Sequence, residues 1–308
     1  MNVKDGFWSR LARNMKKNWI LYLMILPPVI YYLVFAYGPM YGIQLAFKNY
    51  QVKDGIWGSP WVGLDHFRRF FKSYNFGLLI KNTIGISLYS LLVGFPIPII
   101  FALMLNYIKN KRLQKSVQMV SYAPYFISTV VMCGMIAIFL DQDTGVVNAL
   151  RNLLGLKSVN FLADPKKFKS IYVWSGVWQG MGWSSIIYIS ALSGVDYQLH
   201  EAAIVDGASK LKRMWHVDLP SIKPTIVMLL ILQMGSLMSV GFEKVFLLQN
   251  TLNKQSASVI STYVYEVGLL NNDYGYSTAI DLFNSVINLV LIVAANQICK
   301  KVADESLF

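Results

Sequence analysis

Long apolar stretches alternate with shorter polar segments along the whole chain. The six apolar stretches lie at 19–37, 78–108, 116–140, 171–192, 225–241 and 278–298, and the fifth is expected to continue to Leu248. A helix needs about 20 apolar residues to cross the roughly 30 Å hydrocarbon core of a bilayer. Each stretch is therefore predicted to form a membrane-spanning helix. The stretches are too long to be strands of a membrane β-barrel, and apolar and polar residues do not alternate along them as such strands require.

The composition agrees with a chain that is surrounded by lipid. Hydrophobic residues make up 55 % of the 308 residues and charged residues only 14 %, whereas soluble domains carry about 25 % charged residues. The same figures exclude a disordered chain and a small disulfide scaffold. The net charge of +12 would suit a soluble nucleic-acid-binding protein, but basic residues at the edges of membrane spans account for it better.

Lysine and arginine are unequally divided between the two sides of the predicted bundle. Fifteen lie on the side that holds the N-terminus and eleven on the opposite side. Because cytoplasmic connections carry the excess of positive charge, we expect both termini to be cytoplasmic. Trp8, Leu11 and Met15 recur at three- and four-residue steps between basic residues, which predicts an amphipathic helix on the inner membrane surface. The predicted organisation is this segment at 1–18, a membrane domain at 19–300 and a cytoplasmic tail at 301–308.

One cytoplasmic connection, 194–224, is too long to be a structureless loop. Residues 198–205 are rich in good helix formers. Asp206-Gly207 is expected to end that helix, because glycine adopts the left-handed conformation easily.

A second short helix is predicted in the same connection. Ser209 can cap it, and it is expected to run as far as His216. Leu219-Pro220 is expected to stop this helix, and Pro224 marks the start of the next span. The connection is therefore predicted to be a helix–turn–helix on the cytoplasmic face.

The residues alone leave two roles open for this helix–turn–helix. Ala202, Ala203 and Ala208 are small, so another surface could approach the backbone closely, and Glu201 could pair with an arginine on that surface. In that case the connection docks a partner protein. In the alternative, it is a hairpin that merely caps the membrane bundle.

The spacing of these residues resembles the EAA loop, which identifies the permease subunits of bacterial ABC importers that use a binding protein. The residues that carry the resemblance are Glu201, Ala202, Ala203, Asp206, Gly207, Ala208, Leu219, Pro220 and Pro224. Met214 and Val217 stand where the family usually has phenylalanine and isoleucine, and both remain apolar. The resemblance implies that Glu201 meets a basic residue of an ATPase subunit and that Gly207 forms the turn. We call 194–224 the EAA segment.

Other parts of the chain are similar to the sugar-importer branch of that family, and most of all to its oligosaccharide and polysaccharide permeases. They are residues 37–50, 62–64, 123–127 and 160–162. The resemblance implies an all-α type I importer fold with six spans in a bacterial cell membrane. It also implies a carbohydrate substrate, a second permease subunit, a pair of ATPase subunits that hold ATP and Mg²⁺, and an extracellular sugar-binding protein.

Signatures of catalysis and metal binding are missing from the sequence. No phosphate-binding GxxxxGK loop, HExxH or GxSxG motif occurs, and the histidines and cysteines form no cluster. The chain is therefore expected to be no enzyme, to bind no metal or cofactor itself and to take its energy from another polypeptide. Asp141 and Asp143 are close together, but they are interpreted as solvated loop residues rather than as an acid–base pair.

An ion-coupled carrier for a polar solute is the main alternative. Such carriers place ionisable groups near the membrane midplane. Here the charges within apolar stretches lie towards the expected outer ends: Lys81, Asp281, and Glu243 with Lys244. The last two are interpreted as a neutralising pair, with a gate as the alternative. The scarcity of midplane charge disfavours the carrier.

Aromatic and amide side chains within the spans are candidates for a sugar path, because sugars have apolar faces and many hydroxyl groups. The candidates are Trp174, Trp178, Gln179, Gln233, Asn284 and Asn288. Asn284 and Asn288 are four residues apart, so both are expected to face the bundle interior, where their amides avoid lipid. In the alternative, the tryptophans form an interfacial belt and the asparagines join helices.

Overall fold

The computed structural model describes residues 7–303, and all the regular structure in that range is helical. One pair of residues in extended segments, Lys48 and Trp61, forms an isolated bridge. The all-α prediction is therefore confirmed. Residues 1–6 and 304–308, which belong to the predicted surface segment and tail, lie outside the described range, and the predicted division of the chain stays a prediction.

One group of helices follows the apolar stretches. Their bounds are Trp19–Phe47, Asn75–Asn106, Lys111–Phe126, Thr129–Phe139, Pro165–Ser193, Lys223–Met234, Phe242–Leu248 and Tyr274–Ala303. The connections contain a second group, which comprises Gly55–Gly58, Asp65–Lys72, Val146–Leu153, Tyr197–Val205, Lys210–Ser221, Lys254–Ala257, Ile260–Tyr265 and Glu266–Leu270. A further helix, Phe7–Lys17, lies in the predicted surface segment.

Several of these helices can cross a membrane. Three are long and apolar enough without a break, and the number rises to five if each of two sharply bent pairs counts as one span. The predicted span at 171–192 lies inside Pro165–Ser193, a continuous helix of 29 residues, which corresponds to about 43 Å. This helix is long enough to span, but Gln179 and several serines and glycines make its middle less apolar than the other spans.

The third predicted span, 116–140, is not one straight helix. Lys111–Phe126 and Thr129–Phe139 meet at an angle of 99°. Pro124 lies in the last turn before the bend, where it supplies no backbone N–H. Ser128 then starts the second helix, because its hydroxyl accepts a hydrogen bond from a backbone N–H of the first turn. The prediction of a single helix here is wrong.

The fifth predicted span is also wrong as a single helix. Lys223–Met234 is followed by turns and irregular backbone at 235–241, and Phe242–Leu248 is a separate helix. Gly235 and Gly241 are the first and last of these irregular residues. Glycine weakens a helix because it loses more conformational entropy on ordering than any other residue. The predicted continuation to Leu248 is therefore interrupted for seven residues.

Pro165–Ser193 is the central helix of the fold. It packs against both halves of Asn75–Asn106 and against Lys111–Tyr122. One close approach is at Gly182, where a Cβ atom would lie 2.2 Å from the backbone oxygen of Ser121. Only glycine fits so near another backbone. The side of the helix that carries Gly182 and Ser185 is thereby buried against protein, while Trp178, Trp183 and Ser184 remain exposed.

Trp19–Phe47 joins the core only through its last turns. None of residues 19–37 is buried, whereas Tyr41–Phe47 packs against Tyr274–Ala303 and buries Ala46. A helix that contacts lipid is expected to expose an apolar surface, as this one does.

Candidate docking segment and interior path

The first half of the EAA segment is a helix whose two ends are fixed by local capping. Asp196 precedes Tyr197–Val205, and its carboxylate accepts a hydrogen bond from the first turn. After the helix, Gly207 has a φ of +75°, and the Ala208 N–H donates to the Ala203 carbonyl at 2.8 Å. A left-handed glycine with such a bond is a common helix ending. The predicted helix and its break are confirmed.

The second half of the EAA segment begins as predicted but ends later. Ser209 caps Lys210–Ser221, which runs through Leu219-Pro220 instead of stopping there. The π turn Met214–Asp218 directly precedes this dipeptide and widens the helix, so the proline ring meets a looser turn. The chain bends by 62° only afterwards, before Lys223–Met234.

Apolar side chains of the EAA segment point away from the bundle. Val205 is 86 % exposed, Leu211 68 % and Trp215 66 %, and Glu201 is exposed as well. The other predicted docking residues are exposed (Ala202, Asp206, Gly207, Pro220) or half-buried (Ala203, Ala208, Leu219). Exposed apolar patches commonly mark protein contact sites. Of the two roles that the residues leave open, this exposure favours docking over capping.

A buried carboxylate, absent from our sequence predictions, ties the EAA segment to the bundle. Asp218 is fully buried, and it accepts a hydrogen bond from the Tyr107 hydroxyl at 2.7 Å. The His200 Nε2 atom lies 3.2 Å from the other carboxylate oxygen, and the Arg213 guanidinium lies over the Tyr107 ring. His200 and Arg213 come from the two EAA helices, while Tyr107 follows the helix Asn75–Asn106. The cluster therefore joins all three elements.

We expect Asp218→Leu to destabilise the protein, because the Tyr107 hydroxyl would lose its acceptor in a buried site. Leaving a buried polar group unpaired costs about 1–3 kcal/mol. Asp218→Asn retains an oxygen that can accept this bond, so it should cost less. The midpoint of thermal unfolding in detergent measures both effects. Equal midpoints for the leucine variant and the unmodified chain would show that the cluster does not hold the segment.

Two adjoining cavities, both partly open to the outside, lie along the central helix, with volumes of about 490 and 290 Å³. Both are lined by Gly94, Ser184 and Gln233; Trp183 lines the larger one and Gln179 the smaller one. The larger volume is within the range of about 300–1,000 Å³ that is usual for ligand sites, and the smaller one lies at its lower limit. Of the predicted path residues, the structure thus brings Gln179 and Gln233 to one place.

The two predicted tryptophans lie elsewhere. Trp174 and Trp178 are about half exposed, and they line separate surface depressions. The Trp174 indole N–H donates to the Tyr89 hydroxyl at 2.9 Å. Both lie well inside the 29-residue helix Pro165–Ser193 and not at its ends, so they fit an interfacial belt no better than a continuous path with Gln179.

The asparagines do face the interior, as predicted. Asn284 and Asn288 are buried, and Asn288 is bound to the interrupted fifth span: it accepts from the Met238 N–H at 2.9 Å and donates to the Ser239 hydroxyl at 3.0 Å. These bonds fit the alternative that asparagines join helices. The amide oxygen of Asn284 has no hydrogen-bond partner within the described residues.

Amide side chains thus satisfy backbone at both interrupted spans. In the third span, the Gln179 amide donates a hydrogen bond to the Ile127 carbonyl at 2.8 Å. In the fifth span, the Asn288 amide oxygen accepts one from the Met238 N–H. Irregular backbone within a membrane protein must be buried in protein or line a water-filled cavity, because lipid offers no hydrogen bonds. The two breaks therefore supply polar groups to the interior without adding charge.

The structure adds an aromatic pair beside the larger cavity. Trp183 stacks on Tyr125 with ring centroids 4.6 Å apart and an interplanar angle of 4°. Its neighbour Phe126 meets Trp183 edge-on. Tyr125 and Phe126 precede the bend in the third span, so the bend itself brings them to the central helix. Pro124 and Ser128 are the only signs of that bend in the sequence, and neither predicts its direction.

The predicted pairing of Glu243 with Lys244 is wrong. Consecutive helical residues point about 100° apart, and here Glu243 is exposed while Lys244 is buried. The Lys244 ammonium donates instead to the Tyr172 carbonyl at 2.7 Å and lies over the Tyr172 ring. Lys244 lines the smaller cavity together with Gln179 and Gln233.

Asp141 closes a turn, in agreement with its interpretation as a loop residue. Its carboxylate accepts hydrogen bonds from the Asp143 N–H and from both the N–H and the hydroxyl of Thr144. These bonds hold the pKa of Asp141 below its ordinary value. Within residues 7–303, no group of three or more His, Cys, Asp or Glu side chains is arranged to hold a metal ion.

Comparisons with known proteins give matches along most of the chain. Residues 94–304 match the family model described as binding-protein-dependent transport system inner membrane component. The chain is 41 % identical over 300 residues to Protein LplB of Bacillus subtilis, covering 97 % of this chain and 94 % of the relative. With the same coverage it is 43 % identical to the polygalacturonan/rhamnogalacturonan transport system permease protein YteP of that organism.

Solved structures give the same result. One is a bacterial ABC transporter involved in the import of the acidic polysaccharide alginate, with 41 % identity and a TM-score of 0.88 over 95 % of this chain and 99 % of that one. Another is a bacterial alginate ABC transporter in complex with its alginate pentasaccharide-bound periplasmic protein. It has 40 % identity and a TM-score of 0.89 over 97 % of this chain and 100 % of that one.

Proposed function

The chain belongs to the family of binding-protein-dependent transport system inner membrane components, and on this premise we propose that it forms half of the path of an ATP-driven oligosaccharide importer. It is a multi-pass membrane permease and not an enzyme. The energy comes from ATP hydrolysis in a separate subunit, which docks on the EAA segment.

The exposed face of the EAA segment is the observation that carries this proposal. Its ordered helices present Val205, Leu211 and Trp215 to the outside, together with the carboxylate of Glu201. An ATPase cleft with a basic residue is complementary to such a surface in shape, apolarity and charge. Ala202, Ala203 and Ala208 leave the backbone accessible for close packing, and Leu219-Pro220 lies in the helix behind them.

An oligosaccharide suits the interior cavities. Gln179, Gln233 and Ser184 offer neutral hydrogen-bonding groups, and Trp183 offers an aromatic face. Sugars need both, since their hydroxyl groups form hydrogen bonds and their C–H faces pack on aromatic rings. The relatives that transport polygalacturonan, rhamnogalacturonan and alginate support a carbohydrate substrate. Trp174, Trp178, Asn284 and Asn288 are further candidates for the path.

The proposal includes three partners and a location. A second homologous permease completes the path, two ATPase subunits with ATP and Mg²⁺ dock below the EAA segment, and an extracellular sugar-binding protein delivers the substrate. The solved relative in complex with its periplasmic protein supports the last partner. We place the protein in the bacterial cell membrane with both termini in the cytoplasm, as the distribution of basic residues favours.

Transport then follows an alternating-access cycle. Closure of the ATPase pair moves the EAA segment as a lever, and the cluster around Asp218 transmits the movement to Asn75–Asn106 through Tyr107. The central helix Pro165–Ser193 leads directly into the same segment. Because it also lines both cavities, a movement of its inner end can change the access to them.

Reconstitution tests the proposal. The chain is purified with the products of its operon, inserted into vesicles and supplied with the binding protein and a panel of oligosaccharides. We expect ATP hydrolysis that rises on addition of one class of sugar, and uptake that requires ATP. Full uptake by the chain alone in a proton or sodium gradient would instead support the ion-coupled carrier and refute the importer.

A further inference from the structure

In the part of the chain that the structure describes, Lys244 is a buried cation without an anionic partner. Its side chain is only 9 % exposed, and none of the ion pairs within residues 7–303 includes it. An ammonium group has three N–H donors, and its one recorded hydrogen bond is to the neutral carbonyl of Tyr172. Burying a charge without a partner of opposite sign costs considerable free energy. Such a site favours any anion that can reach it.

The surroundings of the ammonium group leave room for a ligand. Lys244 lines the cavity of about 290 Å³. On the facing central helix stands Gly176, where a Cβ atom would lie 3.2 Å from the Lys244 Nζ atom. The other polar lining groups are neutral: Ser90, Tyr172, Gln179, Ser184 and Gln233. One positive charge among neutral hydrogen-bonding groups matches a single negative charge that is attached to a polar molecule.

We propose that Lys244 and this cavity form a subsite for the carboxylate of a uronic acid unit, so that the imported oligosaccharide is acidic. The inference rests on the proposed function and adds the charge of its substrate. The ammonium of Lys244 pairs with the carboxylate, while Gln179 and Gln233 bind hydroxyl groups of the same sugar or of its neighbour. A carboxylate carries one charge and accepts several hydrogen bonds, so it uses the free N–H donors of Lys244.

The probes that test this subsite are oligomers of galacturonate, glucuronate and mannuronate, each with its neutral counterpart after carboxyl reduction. The assembled importer with its binding protein is held in vesicles, and both sugar-stimulated ATP hydrolysis and sugar uptake are measured. For the unmodified chain we expect at least one uronate series to be taken up, and its reduced counterpart to be taken up at least tenfold more slowly.

Variants of Lys244 then test whether the preference for uronate oligomers depends on this side chain. Lys244→Met should lower the uptake of the uronate oligomer about tenfold or more, and Lys244→Arg should retain most of it because the positive charge remains. Lys81→Met is the matched control: it removes an exposed lysine from another span and should leave uronate uptake unchanged.

The outcomes separate this inference from the proposed function. Uptake of neutral oligosaccharides with no preference for uronates, or equal uronate uptake by Lys244→Met and the unmodified chain, would overturn the subsite and leave the importer intact. Failure of every acidic and neutral sugar to stimulate ATP hydrolysis would overturn both. If Lys244→Met does not assemble, the unmodified chain supplies the test: equal uptake of each uronate and its reduced counterpart would overturn the acidic substrate.

Discussion

Gly182→Ala is expected to prevent normal packing of the central helix against the third span. The added methyl group would lie 2.2 Å from the Ser121 carbonyl oxygen and 2.5 Å from its carbon, and both are backbone atoms. A flexible side chain could turn away, but a helix backbone has to move as a whole. Overpacking costs typically about 1–3 kcal/mol, and we expect the upper end here. The midpoint of thermal unfolding in detergent should fall by roughly 6–12 °C.

Gly180→Ala is a matched control for this prediction. It makes the same change two residues away in the same helix, where a Cβ atom meets nothing within 4 Å. Alanine favours a helix over glycine by about 1 kcal/mol, so this variant should be unchanged or slightly stabilised. Equal unfolding midpoints for the two variants would contradict the close contact between Gly182 and Ser121.

Glu201→Lys is expected to detach the ATPase from the complex. If Glu201 meets a basic residue in the ATPase cleft, the substitution removes an ion pair and places two like charges together. Loss of one partner of a buried interfacial pair costs about 2–5 kcal/mol, which corresponds to at least about a 30-fold loss of docking affinity. The fraction of ATPase that co-purifies with the tagged chain, and sugar-stimulated ATP hydrolysis, measure this loss.

Asp65→Lys makes the same change of charge elsewhere and serves as the control. Asp65 begins the helix Asp65–Lys72, where it pairs with Arg68 in an exposed position. Exposed pairs contribute little, so this variant should keep its ATPase. A Glu201→Lys complex that retains the full amount of ATPase would refute the docking role of the exposed carboxylate. Normal thermal unfolding of the variant separates lost docking from misfolding.

Local capping rules predicted the EAA segment well. Asp206-Gly207 ends one helix and Ser209 starts the next, as predicted, because each cap depends on a few neighbouring residues. The prediction that the second helix stops at Leu219-Pro220 is wrong for an equally local reason. The π turn before this dipeptide accommodates the proline. The exposure of the docking face, by contrast, depends on the whole fold.

Hydropathy predicted the apolar helices, but not the course of the backbone. Residues 127–128 and 235–241 bend or unwind inside mainly apolar runs, and a hydropathy profile contains no information on the direction of the chain. Lys244 was assigned to Glu243 because they are neighbours in sequence, although its partner is Tyr172, 72 residues away. Asp218 likewise meets Tyr107 at a separation of 111 residues. Such pairs become visible only when the helices are packed.

The two interrupted spans have a consequence for how this molecule can be dissected. At both interruptions, backbone N–H and carbonyl groups form hydrogen bonds with amide side chains. Substituting the side chains of the interrupted residues does not remove these backbone groups. An alanine scan across 127–128 or 235–241 will report side-chain contributions, such as the Ser128 cap and the Ser239 hydroxyl, and will leave every peptide group in place. Replacing single amides by esters, which removes one N–H and weakens one carbonyl, is the perturbation that reaches these atoms.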